Sequence, residues 1–383
     1  MRIGIFTECY KPILNGVVNS IDGFRIGLAE LGHEVFIFCP NYSEKVNEKN
    51  IYYCKSFPLP GKNGYHYIYP LDSRKESVAR TMDIIHTEHP FIMARRALHV
   101  AKKYNKPLVF TNHTQYEQYA HYIPIGKSII KYIIKKWVTD FVNRCDLVIA
   151  PAKGIENKLN EYKIKTAMEI VPNGIDLNRF VNQNNDYLKK EYNLKNWPVF
   201  IFVGRIANEK NLEFLIRAFH AVNQKNPESY LFLVGGGPKE KEYNQLIKNL
   251  NLGDKVVITG YVPYGEIPNY LASANIFITS SKTEVHPLTI LEAMATGLPT
   301  IAFDTFGTGE IINNNITGVK TKVDDMDSFT LGMEKLLLDK NLRNNLGENA
   351  KNYSRKFSLL ETSKQMLKAY NHAIEIHKLT NYE

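Results

Sequence analysis

No apolar run in this sequence of 383 residues approaches the roughly 20 residues needed to cross a bilayer, so no membrane-spanning helix is expected. Cysteine is scarce. Cys9, Cys39, Cys54 and Cys145 are scattered and form no CxxC pair, which argues against metal ligands or a disulfide framework and predicts reduced, mostly buried thiols. Short-period repeats and low-complexity tracts are missing, which excludes solenoids and disordered arrays. No cleavable hydrophobic segment precedes the first strand, since the chain opens directly on Arg2–Phe6; no signal peptide is expected and the reading is a cytoplasmic enzyme. What the chain does have is 44% hydrophobic and 23% charged residues, the balance of an ordinary folded enzyme. It is too long for a single core, and two domains are expected.

The net charge of +9 is unevenly spread. Residues 1–177 carry 24 Lys/Arg against 17 Asp/Glu, a net of +7, and the remainder carries 24 against 22, a net of +2. A basic first half attracts anionic lipid, nucleic acid or an acidic substrate, although a merely solubilising surface has the same composition.

Strand-like and helix-like segments alternate. Arg2–Phe6 is followed by the loop Tyr10–Gly16, a helix over Val17–Leu31 with Val17, Ile21, Phe24 and Leu28 on one face, and a strand over Glu34–Cys39. Further strands are expected at Met82–His86, Pro107–Thr111 and Asp146–Ala150. The pattern restarts with a strand at Pro198–Val203, a helix at Asn211–Asn223 and a strand at Tyr230–Val234 that ends in Gly235-Gly236-Gly237-Pro238. Strands at Lys255–Thr259, Ile276–Thr279 and Pro299–Ala302, with helices at Lys239–Leu250 and Thr289–Thr296, complete it. Strands separated by helical crossovers predict parallel sheets covered on both faces. The expected architecture is therefore two Rossmann-like doubly wound α/β domains. Their ligand edges, beyond the carboxyl ends of the strands, point at a shared cleft.

The most informative stretch is Ser280–Pro299. A strand ends, a polar loop carries Glu284, and a helix starts near Leu288. A helix N-terminus offers unpaired N–H groups and a partial positive charge, a seat for a diphosphate. Glu292 lies about one turn inside, within reach of the ribose hydroxyls of a nucleotide seated at that end, and Glu284 lies nearer a transferred sugar. The alternative is two ordinary surface glutamates.

The Glu284-x7-Glu292 spacing, followed by Ala293-Met294-Ala295-Thr296-Gly297-Leu298-Pro299, closely resembles the signature of the family 4 retaining glycosyltransferases of GT-B fold. The resemblance covers the whole chain. Val203–Leu212 is similar to that family's donor loop, which implies that Arg205 and Lys210 clamp the diphosphate, two cations that neutralise the leaving group without a metal. No cofactor beyond the nucleotide sugar is implied. Leu288 and Thr289 fall at the donor end of the helix. Asn15-Gly16-Val17 stands where the family has a turn that approaches the donor phosphates, with Gly16 permitting close approach. Phe110–Thr114 resembles the strand end that carries the active-site histidine, so His113 is expected beside the transferred sugar, donating a hydrogen bond to one of its hydroxyls. His86 and His89 match an element of less defined role; as a metal pair they lack an evident third ligand. Val171–Asp176 matches the interdomain element, which places residues 1–178 in an acceptor domain completed by a C-terminal helix at 358–383, and 179–357 in the donor domain.

Two features bear on the acceptor. The segment Thr111–Pro124, the opening Tyr10–Ser20 and Leu288-Thr289 resemble the subgroup that glucosylates 1,2-diacylglycerol. This implies UDP-glucose as donor and a lipid acceptor at the inner face of the cell membrane. Independently, Lys127–Val138 alternates cations with Ile, Tyr and Trp. At helical spacing Lys127, Lys131 and Lys135 fall together, with Lys136 adjoining, while Ile130, Ile133, Ile134 and Trp137 form the other face. That is the pattern of a helix lying on an anionic bilayer surface, or of one burying its apolar face in its own domain. A polysaccharide or lipopolysaccharide sugar and a small soluble acceptor are the alternatives, and a non-catalytic nucleotide-sugar or nucleic-acid binding protein is the alternative of another class. No stacking-aromatic RNA motif is present, and nucleic acid is not an expected partner. One departure stands out: the family's aromatic-Gly pair after the first glutamate is here His286-Pro287. The proline removes a backbone N–H, and His286 takes its place as a reader of a sugar hydroxyl.

Overall fold

The computed structural model describes residues 1–13, 15–58, 66–115, 127–181 and 183–380, with residues 127–131 described by backbone alone. The chain divides into two compact units: Met1–Gly174 with Leu359–Glu383, and Ile175–Ser358. The first break therefore falls four residues before the one expected at 178, directly after Asn173-Gly174.

The first unit contains β1 (Arg2–Phe6), β2 (Glu34–Pro40), β3 (Ile51–Cys54), β4 (Ser56–Pro58), β5 (His66–Ile68), β6 (Ile84–Thr87), β7 (Leu108–Thr111), β8 (Leu147–Ala150) and β9 (Ala167–Ile170). Seven of them form a parallel sheet in the order β3-β2-β1-β6-β7-β8-β9, while β4 and β5 pair antiparallel. One face of β1 sends Ile3 and Ile5 into a core with Ile21, Phe24 and Leu28 of the helix Gly16–Glu30 and Met366 and Tyr370 of the C-terminal helix Leu359–Thr380.

The second unit contains β10 (Val199–Val203), β11 (Tyr230–Val234), β12 (Val256–Ile258), β13 (Ile276–Thr279), β14 (Thr300–Phe303) and β15 (Gly318–Thr321), all parallel in the order β12-β11-β10-β13-β14-β15. Its central strands β10 and β11 are continuous buried apolar runs because both faces are covered. On β10, Val199, Ile201 and Val203 enter one core with Leu291 and Met294, while Phe200 and Phe202 enter the other with Leu215, Phe219 and Phe329. Each fully buried phenylalanine contributes roughly 1.5–3 kcal/mol of transfer free energy.

In both sheets the chain reverses its direction of winding at one point, between β1 and β6 in the first and between β10 and β13 in the second. There the following loops diverge to opposite faces and open a crevice at the strands' carboxyl ends. The four cysteines are buried and form no disulfide. Among the described residues no helix is long and apolar enough to cross a membrane.

Candidate functional site

In the second unit the loop after β10 carries Arg205 and Lys210 and the loop after β13 carries Glu284, so they flank the reversal point. Gly235 and Gly237 make the first loop possible. A Cβ at Gly235 would stand 2.1 Å from the Gly204 oxygen and one at Gly237 2.3 Å from the Ile206 oxygen. With both absent, Ile206 N donates to Gly236 O (2.9 Å) and Lys239 N to Ile206 O (3.1 Å), and the two loops run side by side. The glycine turn thus shapes the loop that presents Arg205, which is exposed.

Serines tie the second loop to the first. Ser280 Oγ donates to Asn211 O (2.8 Å) and Ser281 Oγ to Glu209 O (3.2 Å), holding the backbone on both sides of Lys210. The result is an ion pair between Lys210 Nζ and Glu284 Oε1 at 2.5 Å, in which Glu284 keeps 18% and Lys210 23% of its side-chain exposure, enough for a ligand to reach both. Burial pushes the Glu284 carboxyl up, but the adjacent ammonium and the Ser281 hydrogen bond outweigh it and hold the group below the usual carboxylate range. From behind, Gly307 lets the helix Phe306–Ile311 touch this loop; a Cβ there would sit 2.3 Å from the Glu284 carbonyl oxygen.

The helix Leu288–Ala295 starts after Pro287 without a side-chain cap, which leaves the first-turn N–H groups of Leu288 and Thr289 available to an outside acceptor. Glu292, one turn in, is 2% exposed and accepts from Tyr264 Oη at 2.8 Å. Tyr264 in turn packs under Arg179, whose guanidinium carbon lies 3.7 Å from the ring centroid and whose Nη2 donates to the Tyr264 carbonyl at 2.6 Å. Burial raises the Glu292 carboxyl to about 7 against the opposing pull of Tyr264 and Arg179. Neither of the two glutamates is an ordinary solvated one. His286 is buried against Phe357, ring centroids 5.5 Å apart, and burial lowers its imidazole to about 4, so it stays neutral.

In the first unit, Glu8 follows β1, Glu88 follows β6 and His113 follows β7, three neighbouring strands of the sheet. His113 Nε2 meets Glu88 Oε2 at 2.7 Å. His86 Nδ1 lies 2.8 Å from Tyr370 Oη of the C-terminal helix, and its Nε2 lies 2.7 Å from Thr111 Oγ1. Glu8 accepts from Met93 N (2.6 Å) at the start of the helix Ile92–Tyr104, and burial raises its carboxyl to about 7. Gly16 is exposed at the first turn of its helix, below Asn15, which accepts from Val18 N. A Cβ on Gly16 would meet nothing within 4 Å, so packing of the fold does not demand glycine there. Among the described residues no group of three or more His, Cys, Asp or Glu is arranged to hold a metal ion.

The helix Lys127–Val142 divides its faces differently from the expectation. It buries Val138, Phe141 and Val142, the residues one and two turns beyond the expected apolar set, and leaves Tyr132, Ile133 and Trp137 67%, 55% and 40% exposed. Lys135 Nζ lies 4.5 Å from the Tyr162 ring centroid, engaged within its own unit, while Lys136 is exposed. The side chains of Lys127 and Lys131 lie outside the described residues, as do residues 116–124 of the lipid-subgroup segment and Leu14 of the opening loop. Trp137 donates from Nε1 to Pro90 O (2.7 Å) and stacks under Arg95, 4.2 Å away. With Leu98, Phe141 and Arg144 these two residues line a surface recess that continues past His99, Lys102 and Lys103.

Several contributors escape the sequence motifs. Ser280, Ser281, Tyr264, Arg179, Glu88 and Gly307 carry no spacing signal. The one available hint was that Glu88, Tyr264 and the serines follow strand ends.

These features are those of a nucleotide-binding α/β fold with a cationic loop and an open helix N-terminus at one reversal point. Comparison with known proteins gives the family. Residues 14–179 match the model "Glycosyltransferase Family 4" and residues 184–353 match "Glycosyl transferases group 1". The chain is 31% identical over 327 residues to the alpha-monoglucosyldiacylglycerol synthase of Acholeplasma laidlawii, covering 80% of this chain and 82% of that protein. To the synthase of the same name from Streptococcus pneumoniae it is 30% identical over 328 residues, covering 83% and 74%. Among solved structures, Anabaena Alr3699/HepE in complex with UDP superposes with a TM-score of 0.79 at 18% identity, covering 96% of this chain and 99% of that one. The chain belongs to the family 4 glycosyltransferases, and it is a glycosyltransferase with two parallel-sheet α/β units.

Proposed function

We propose that this enzyme transfers glucose from UDP-glucose to a hydroxyl of 1,2-diacylglycerol at an anionic membrane surface, with retention of the anomeric configuration. The observation that carries the donor half is the Lys210–Glu284 pair beside an uncapped helix N-terminus with Glu292 buried one turn inside. Arg205, Lys210 and the N–H groups of Leu288 and Thr289 receive the diphosphate, and ionised Glu292 exchanges Tyr264 for the ribose hydroxyls. Glu284 and His286 orient the sugar, Gly16 keeps the role the resemblance implies, and His113 meets a sugar hydroxyl. The acceptor oxygen bonds to the anomeric carbon as its bond to the phosphate breaks, and the leaving phosphate takes the acceptor proton on the same face. The glucosyl donor and the lipid acceptor are supported by the two alpha-monoglucosyldiacylglycerol synthases to which the chain is about 30% identical.

The membrane half rests on the surface of the first unit, where Trp137 shares a recess with Arg95, Asp140 and Arg144 that continues past His99, Lys102 and Lys103, and where Tyr132, Ile133 and Lys136 of the same helix are exposed. Apolar side chains enter the headgroup layer and cations meet anionic lipid, about 1 kcal/mol or roughly fivefold in affinity for each. Vesicles rich in anionic phospholipid are expected to sediment the protein at low salt and release it at about 0.5 M salt. Arg95→Ala should weaken binding about fivefold. Binding indifferent to salt and to Arg95 contradicts the surface.

Ionisation of Glu292 gives a second expected result. The folded apoprotein holds this proton up to about pH 7, so the buried carboxylate costs stability as pH rises from its ordinary 4.5 towards 7. Ribose binding needs the ionised form. The dissociation constant for UDP-glucose, whose own charge is constant here, should therefore tighten about tenfold from pH 6 to pH 8. Calorimetric titration checks this, and Glu292→Gln should abolish the slope.

The whole proposal is tested by offering UDP-glucose, ADP-glucose and GDP-mannose against diacylglycerol vesicles, a soluble glucan and a small sugar acceptor, with products separated by chromatography. Glucose appearing in the lipid from UDP-glucose is the expected result; transfer confined to a soluble acceptor overturns the acceptor assignment.

A further inference from the structure

The first unit holds a buried polar group that the donor chemistry does not use: Glu88, 2% exposed, lying between two histidines. Its Oε2 meets His113 Nε2 at 2.7 Å, and its Oε1 lies 3.6 Å from His86 Nδ1. Both partners are fixed from behind. Glu88 N donates to Phe6 O (3.1 Å), Asn112 N next to His113 donates to Ile149 O (3.0 Å), and His86 is gripped between Tyr370 Oη and Thr111 Oγ1. His86 thus has both ring nitrogens occupied, whereas His113 has Glu88 on Nε2 and no partner on Nδ1 among the described residues.

The charge states follow. Burial keeps His86 below its ordinary value and lowers His89 to about 3, so neither carries charge near neutrality. Burial also pushes the Glu88 carboxyl up, but the hydrogen bond from His113 opposes it and the group lies below the usual carboxylate range, ionised. An ionised carboxylate only accepts hydrogen bonds, so the ring nitrogen it meets must carry a proton.

We propose that Glu88 is a positioning residue that fixes His113 with its proton on Nε2 and leaves Nδ1 as the atom that meets the substrate. This rests on the transferase reading above and deepens it. In the neutral ring Nδ1 is an acceptor, so His113 receives a hydrogen bond from a sugar hydroxyl, where the sequence suggested that it donates one. It donates through Nδ1 only when doubly protonated. Tyr370 and Thr111, by holding His86, keep the other side of the carboxylate from rotating toward a different partner.

The test has two arms. The first is nitrogen NMR of the histidine-labelled full chain, with the His113 signals assigned by their loss in His113→Asn. The wild type is expected to show the proton on Nε2 and a bare Nδ1. In Glu88→Gln, which keeps the shape but presents an amide, the tautomer should become mixed or move to Nδ1–H. The second arm is steady-state kinetics with UDP-glucose. Glu88→Gln should lower kcat about 10- to 100-fold, the value of a hydrogen bond to a charged group, with KM for the donor changed less than about twofold. A wild-type His113 protonated on Nδ1 overturns the proposal, as does a fall in kcat with the tautomer unchanged, which marks a merely structural role. If Glu88→Gln does not fold, the wild-type spectrum still decides the tautomer. A wild type with the Nε2 tautomer that transfers sugar from no nucleotide donor overturns the substrate role and the transferase reading together, while the tautomer assignment stands.

Discussion

Lys210→Ala is expected to lower kcat for sugar transfer by about 10²–10³-fold, the cost of removing one preorganised charge from a developing anion. The reason is positional. The loops after β10 and β13 are sewn together by Ser280 and Ser281 so that the ammonium is already in place before a diphosphate arrives, and no reorganisation is needed as the leaving group gains charge. The loss in stability should be small, because the pair retains solvent on both sides and such pairs contribute about 1 kcal/mol or less. A melting temperature within about 4 °C of wild type, together with the drop in kcat, is the expected combination. Glu284→Gln should behave similarly, since it removes the carboxylate that orients both the lysine and the sugar. Near-wild-type turnover in both variants contradicts the assignment of this pair.

Gly307→Ala is expected to cost about a hundredfold in activity although residue 307 has no assigned part in donor binding. Its Cβ would stand 2.3 Å from Glu284 O and 2.6 Å from Val285 O, both backbone atoms that have no rotamer by which to move aside. The clash must be relieved by shifting the Glu284 loop, and displacement of a catalytic group by about 1 Å costs about 10²-fold. Overpacking should add about 1–3 kcal/mol of destabilisation. A stability loss of that size with unchanged kcat indicates that the helix Phe306–Ile311 moves instead of the loop.

The fold was legible where strands are apolar on both faces. Leu108–Thr111, Leu147–Ala150 and Val199–Val203 lie within the expected segments because a buried parallel strand is a continuous apolar run. The sheet margins were not. β9, with Ala167 and Ile170 exposed, and β15, with a lysine within it, bury only part of their surface and leave weak periodicity. The donor motifs were legible because their residues are close in sequence. Glu88 was not, since its partner His113 follows β7 and the neighbouring His86 is held by Tyr370 of the C-terminal helix. The helix Lys127–Val142 shows the converse limit. Its apolar residues were visible, but which face is buried depends on where the helix docks, and it docks through Val138, Phe141 and Val142.

The most direct measurement of the central claim is a proton NMR spectrum of the lipid product formed from UDP-glucose and diacylglycerol vesicles. The anomeric coupling reports both that glucose has reached the lipid and on which face of the anomeric carbon the bond was made. The account predicts an α-glucosyl lipid, the configuration of the donor, with activity lost in Lys210→Ala. A β-linked product, or no glucolipid while glucose is transferred elsewhere, contradicts it.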